Sequence, residues 1–136
     1  MTPKFKTRDV AKSLYTNYLK RAEECFHAAK NSFNSQEWNA ATINAIHACI
    51  AGCDAMCVYF LGRRHAGESH NETATLFKTI DSNDESINTN ANRVARILSV
   101  KNFAEYEDRL VHRSEAEKVV INCGRFLEYI KTKLPK

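Results

Sequence analysis

Asn44, His47 and Asp54 stand at steps of three and seven residues within the most apolar stretch of the chain, Ala40 to Gly62. That spacing puts them on one side of an α-helix. A polar line on an otherwise apolar helix must reach solvent or find partners, because an unpaired buried polar group costs about 1–3 kcal/mol. The line therefore marks a groove or an interface. Two readings stand side by side: a hydrogen-bonded helix-packing or dimer contact, and a His and an Asp available for acid–base work. On the same stretch Cys49, Cys53 and Cys57 follow at steps of four, so their thiols share a side. Thiolates so placed can hold a soft metal. No second cluster supplies a fourth ligand, however, and cysteine behaves as a small, commonly buried hydrophobe. The expectation is core packing, with no metal and no cofactor. P-loop, glycine-rich, G-x-S-x-G and H-E-x-x-H templates are all missing from the sequence.

The elements that position these residues follow from composition and period. In 136 residues there are four Gly and two Pro, with 43% hydrophobic and 26% charged residues. That supply of turn-formers is too small for a sandwich, a barrel or a doubly wound sheet. The length suits one domain, taken as residues 1–136, and the expected fold is all-α, a compact antiparallel bundle of four to five helices. Leu14, Tyr18, Ala22, Cys25, Ala29 and Phe33 predict a first helix from about Thr7 to Phe33, with Lys12, Lys20, Arg21 and Glu24 elsewhere on its circumference. A turn at 31–35 follows, with Asn34 and Glu37 as a helix-starting pair. The second helix, about Gln36 to Leu61, carries a small-residue seam (Ala41, Ala45, Ala48, Gly52, Ala55) and a bulky one (Ile43, Ile46, Ile50, Cys53, Cys57, Phe60). A helix apolar over most of its surface is central. It is long enough to span a bilayer, but its polar line is expensive there, so it is expected to be buried in protein.

Gly62 is placed to end that helix in left-handed geometry. Ser69 with Glu72 predicts a capping box for a third helix reaching about Ile80. Ile87, Ala91, Val94 and Leu98 predict a fourth, ending near Val100, and a loop then carries Phe103, Tyr106 and Leu110. Ser114 with Glu117 is the expected box for a fifth helix, whose stripe of Ala116, Val120, Cys123, Leu127, Ile130 and Leu134 is stopped by Pro135.

The net charge of +4 is unevenly spread: 7 basic and 3 acidic groups in residues 1–30, 3 and 7 in 31–90, and 10 and 6 in 91–136. If the ends meet in the fold they make a basic face suited to phosphate-bearing partners. Solvated helix faces account for the same distribution. Five cysteines without paired spacing suggest neither a disulfide framework nor a zinc ribbon, and a reducing cytoplasm fits them. Met1 to Lys6 has no apolar stretch behind it and predicts no signal peptide.

Two stretches resemble the HEPN domains, small helical bundles. Trp38 to Ala48 with Gly52-Cys53-Asp54-Ala55 looks like that family's second helix. Lys101-Asn102-Phe103-Ala104-Glu105-Tyr106, then Ser114-Glu115-Ala116 and Gly124-Arg125-Phe126-Leu127, is similar to the RNxADY, S..EA and A..FL ending of one branch. With Tyr18 to Glu23, the likeness covers nearly the whole chain.

The resemblance implies that many relatives are metal-independent endoribonucleases using an Arg and a His at a dimer interface. His serves as acid or base at the ribose 2′-hydroxyl and leaving oxygen, and Arg steadies the phosphorane charge. This chain departs from that pattern, with Lys101 in the Arg position and no His following it. His112 lies further on, but Arg109 is too close to it. Arg64 and His70 do satisfy the spacing, as do Arg63 with His70 and Arg21 with His27. The resemblance thus implies a binding or interaction module, homodimeric and working beside a minimal nucleotidyltransferase. Its phosphate contacts to nucleotide or RNA would be Arg93, Arg96, Lys101, Arg109 and Arg113, with Tyr106 beside them. Ion pairs with Glu105, Glu107, Asp108 and Glu115 are the alternative for these cations. The second functional reading is a toxin-like ribonuclease using Arg64, His70 or His112.

Overall fold

Alanine is the reason the first two helices can approach closely. Helix α1 (Tyr15–Asn34) buries Ala22 and Ala29, and α2 (Trp38–Leu61) buries Ala41, Ala45, Ala48, Ala51 and Ala55, so the two share the most extensive contact in the molecule. In this computed structural model residues 6–136 are described, and Met1 to Phe5, read above as carrying no leader, lie outside the described residues. Between the two helices Gln36 takes φ 62°, the left-handed turn that reverses the chain. The Asn34–Glu37 pair does not cap α2. Glu37 is its N-cap and makes no side-chain hydrogen bond there, because the reversal satisfies backbone groups directly, as when Glu37 N–H donates to the Ser32 carbonyl at 2.9 Å.

Helix α2 is central: its small-residue seam is buried throughout, while the bulky seam is buried at Ile46, Cys53 and Cys57, partly buried at Ile43 and Ile50, and exposed at Phe60 near the helix end. Every residue from Ala51 to Val58 is buried, and 67% of its most apolar window lies inside the protein, so its hydropathy is that of a core helix in a soluble globular domain. Cys49, Cys53 and Cys57 sit in that core with Cys123 of α6 (Arg113–Lys133), and burial pushes the Cys57 thiol far above its ordinary range. Gly62 ends α2 at φ 70°, as expected.

The amino-terminal stretch corrects the sequence expectation. Thr7–Asp9 is a strand, β1, not the start of a helix, and it pairs antiparallel with β2 (Arg63–His65) in the register Thr7 to His65, Arg8 to Arg64 and Asp9 to Arg63. The physical reason is an unpaired edge. Gly62 sends residues 63–65 out extended, and residues 7–9, which lack any apolar helical stripe, satisfy that backbone. A 3-10 turn at Lys12–Leu14 then leads into α1.

Helix α3 (Asn71–Lys78) has His70, not Ser69, at its N-cap, because Glu72 is turned to His65 and leaves no capping box with Ser69. Helix α4 (Glu85–Ser99) is capped by Asp84, whose Oδ1 accepts from Ser86 N–H at 2.8 Å and Ile87 N–H at 3.4 Å. Asp84→Ala is expected to lower the thermal midpoint by a few degrees, as loss of an N-cap does in a domain of this size, and circular-dichroism melts would register it. The segment expected as a loop forms α5 (Lys101–Tyr106), closed by an i,i+4 pair of Lys101 Nζ with Glu105 at 2.6 Å.

The capping box of helix α6 is His112 with Glu115, two residues before the predicted Ser114–Glu117 box. The Glu115 carboxylate reaches back to His112 N–H at 2.8 Å and simultaneously takes a two-pronged grip from Arg109 at 2.9 and 2.7 Å. That grip holds the Glu115 carboxyl at about 2. Five longer helices therefore stand in the expected order, with α5 added. They share one core, in which Phe77 of α3 meets Phe126 of α6 edge to face at 5.5 Å.

Candidate functional site

The polar line of α2 opens into a cleft. Helix α1 contributes Arg21 and Cys25, α2 contributes His47 and Asp54 over a floor of Ile50 and Ala51, and α5 contributes Lys101 and Glu105. His70 completes the wall of this space of about 320 Å³. A smaller recess of about 150 Å³ runs from Asp54 and His70 to Arg64, His65 and Thr73. On its other side His70 borders an outer depression of about 410 Å³ that includes Lys101 and Tyr106. Among the described residues, His70 is the one common to all three.

Local structure explains why these groups are held. The β1–β2 ribbon fixes Arg64, whose Nε donates to the Tyr18 hydroxyl at 3.1 Å and whose Nη1 donates to the His65 carbonyl at 2.9 Å. His65 is buried, 3.0 Å from Glu72 and 3.4 Å from the Thr73 hydroxyl, and its ring centre lies 6.4 Å from that of His70. Gly67 packs over that pair so tightly that a Cβ would come within 3.0 Å of His65 Nε2 and 3.1 Å of Glu72 Oε1. On the opposite wall Glu105 bridges two elements, 2.6 Å from Lys101 Nζ and 3.5 Å from His47 Nε2.

The electrostatics are set by burial and by cations from several elements. Burial pushes the Asp54 carboxyl up to about 7 against the opposing pull of Arg64 and Arg21. Burial likewise lowers the His70 imidazole, and the charge of Lys101 and neighbouring His65 lower it further. Burial would raise Glu105, but the hydrogen bond and charge of Lys101, with His47, outweigh it and hold this carboxyl below its usual range. Near neutrality the cleft thus holds an uncharged His70, an Asp54 near its titration midpoint, and the cations Arg21, Arg64 and Lys101. His70 Nδ1 is buried and has no hydrogen-bond partner among the described residues. A buried polar atom without a partner is the group a ligand can satisfy.

Of the residues singled out from sequence, the structure brings together His47, Asp54, Arg64, His70, Lys101 and Tyr106. The others lie elsewhere. Asn44 donates to its own helix at the Ala40 carbonyl, 2.9 Å away. Arg93 bonds Asn90 at 2.8 Å, and Arg96 is exposed on α4. Arg109 is tied to Glu115 and lies 3.8 Å from the Phe103 ring centre, while Arg113 sits over Trp38 at 5.7 Å. His112 is at the start of α6 with its side chain 71% exposed. Arg21, which the sequence matches only by its spacing to His27, and Glu105, read as an ion-pair partner, are the charged cleft residues that motif reading does not assign to the site. The step of four from Arg21 to Cys25, at the border of the apolar stripe, was the available signal for the first; the second was legible only as an ion-pair partner.

A bundle with this order of helices and a polar cleft beside its central helix defines a class. The HEPN domain model matches residues 15–133, and the chain belongs to the HEPN domain family. Membership carries a nucleotide- or RNA-related module at the level of the family. No curated protein matches the chain.

Proposed function

We propose that the cleft around His70 binds the phosphate of a nucleotide or RNA segment, as a binding module and not a catalyst. The observation that carries this reading is the buried Nδ1 of His70, without a partner among the described residues, in a cleft walled by Arg21, Arg64 and Lys101 from three different segments. Guanidinium and ammonium groups grip phosphate oxygens, and an uncharged imidazole adds a directed hydrogen bond. Titration calorimetry with nucleoside phosphates and a short single-stranded RNA tests it. Lys101→Ala is expected to weaken binding about tenfold or more, the loss of one charge-assisted hydrogen bond, and to flatten the salt dependence. Arg96→Ala, away from the cleft, is expected to bind as the parent does. Equal losses from both substitutions would show that general surface charge is responsible and would remove the cleft from the reading.

One arrangement favours a second reading. Arg64 and His70 share a recess, and an uncharged His beside cations is suited to acid–base attack at a ribose 2′-hydroxyl. RNA incubated with the protein in EDTA separates the two: cleavage abolished by His70→Ala would replace binding with metal-independent ribonuclease action. A homodimer and a nucleotidyltransferase partner belong to the same proposal, and light scattering over a wide concentration range addresses the first.

A further inference from the structure

The depression outside His70 differs in chemistry from the space inside it. Inward, the walls carry the ionisable side chains Arg21, Asp54, His47 and Glu105. Outward, the walls carry Asn71, Asn102, Ser99, Leu98 and the ring of Tyr106, with one carboxylate, Glu68, which does not border the inner space. Among the described residues, His70 and Lys101 are the only ones that border both. Carboxamides each present a donor pair and an acceptor, the complement of a nucleobase edge. Tyr106 is 70% exposed, and Lys101 Nζ lies 5.5 Å from its ring centre, so the cation that faces the inner space also borders the aromatic surface. At about 410 Å³ the depression is of small-ligand size.

We propose that this outer depression is a nucleobase subsite: the base stacks on Tyr106 with its edge toward Asn71 and Asn102, while its phosphate lies at the boundary formed by His70 and Lys101. The inference rests on the phosphate-binding reading and deepens it. It makes the ligand a base-bearing phosphate in place of any anion, and it orients the strand, base outward and phosphate inward. The carboxamides supply the means of discriminating among bases, because stacking itself tolerates every base.

The test compares the intact protein with its Tyr106→Ala and Asn102→Ala variants, using two probes of matched charge, uridine 5′-monophosphate and ribose 5-phosphate. Both side chains are exposed, so the variants are expected to fold, and far-ultraviolet circular dichroism verifies it. The nucleotide is expected to bind the parent about tenfold or more tightly than the sugar phosphate, within the range that base–aromatic stacking contributes. Tyr106→Ala should erase that preference and leave ribose 5-phosphate unchanged, and Asn102→Ala should reduce it. Adenosine and guanosine monophosphates extend the comparison if the carboxamides favour a purine. Equal binding of every nucleotide and the sugar phosphate by the parent overturns the base subsite and leaves phosphate binding standing. Equal weakening of both probes by Tyr106→Ala overturns it likewise. If neither probe nor RNA binds, both readings fall together.

Discussion

Asp54→Asn is expected to raise the stability of this domain relative to the parent by about 4 kcal/mol on going from pH 4 to pH 8. The sign follows from the carboxyl's native value of about 7 against 3.8 unperturbed. Below about pH 4 both native and unfolded states hold the proton and the residue contributes no slope. Between the two values the unfolded chain releases the proton and the native state keeps it, so rising pH favours unfolding by up to about 1.4 kcal/mol per unit. Above the native value both states are ionised and the penalty is constant. Asparagine matches the protonated carboxyl in shape and cannot ionise, so the slope disappears in the variant. His70 acts in the opposite sense: its lowered imidazole is protonated in the unfolded chain first, and stability falls as pH drops below its ordinary range. That contribution is common to parent and variant and cancels in their difference. Urea titrations at pH 4, 6 and 8 measure the effect. A parent-minus-variant difference independent of pH would mean that Asp54 is ionised in the native state throughout. The same proton governs the cleft, since loss of it adds a negative charge beside Arg21 and Arg64 and should weaken phosphate binding above neutrality in the parent but not in the variant.

Gly52→Val is expected to cost about 3 kcal/mol and to lower the thermal midpoint on the order of 10 °C. A Cβ at this position would lie 3.0 Å from Leu127 Cδ2, 3.1 Å from Phe126 and 3.2 Å from Ile130 Cδ1. These three side chains belong to α6 and are buried, and Phe126 is further held by Phe77. Valine adds two branches beyond that Cβ, which the packed neighbours have no room to clear. Gly52→Ala provides the internal comparison. Its methyl meets the same three atoms, but alanine also regains about 1 kcal/mol of helix propensity, so its net change should be small. A valine variant as stable as the parent would show that α6 does not lie against α2 at this point.

Helical period and the shortage of turn-formers determine much of the fold before any tertiary contact is considered. The stripe from Leu14 to Phe33, the two seams of α2 and the stripe from Ala116 to Leu134 each dictate a helix, because burying an apolar stripe is possible only at that period. The likeness to the HEPN family rests on residues of those same helices together with Lys101 to Tyr106, which form α5. Helix starts were less legible. Ser69 and Ser114 have the right partners three residues on, yet Glu72 turns to His65 and Glu115 serves α6 instead, a competition between local and distant hydrogen bonds that a linear pattern does not contain. The strand at Thr7–Asp9 was hidden for a related reason, since its partner lies beyond two whole helices.

The site divides along the same line. The chain by itself determines that Asn44, His47 and Asp54 share one side of a helix, since that is a matter of 3.6 residues per turn. Asn44 bonds the backbone one turn earlier in its own helix, a local contact, and only the tertiary structure decides that Asp54 joins His70, Arg64, Arg21 and Lys101 around one cleft. It also withdraws Arg109 from the basic group by giving it to Glu115. Sequence spacing governs what faces together within one element. Which charges meet across elements, and which are left without a partner, depends on how close the helices pack, and here small residues such as Gly52 and the alanines of α1 and α2 set that approach.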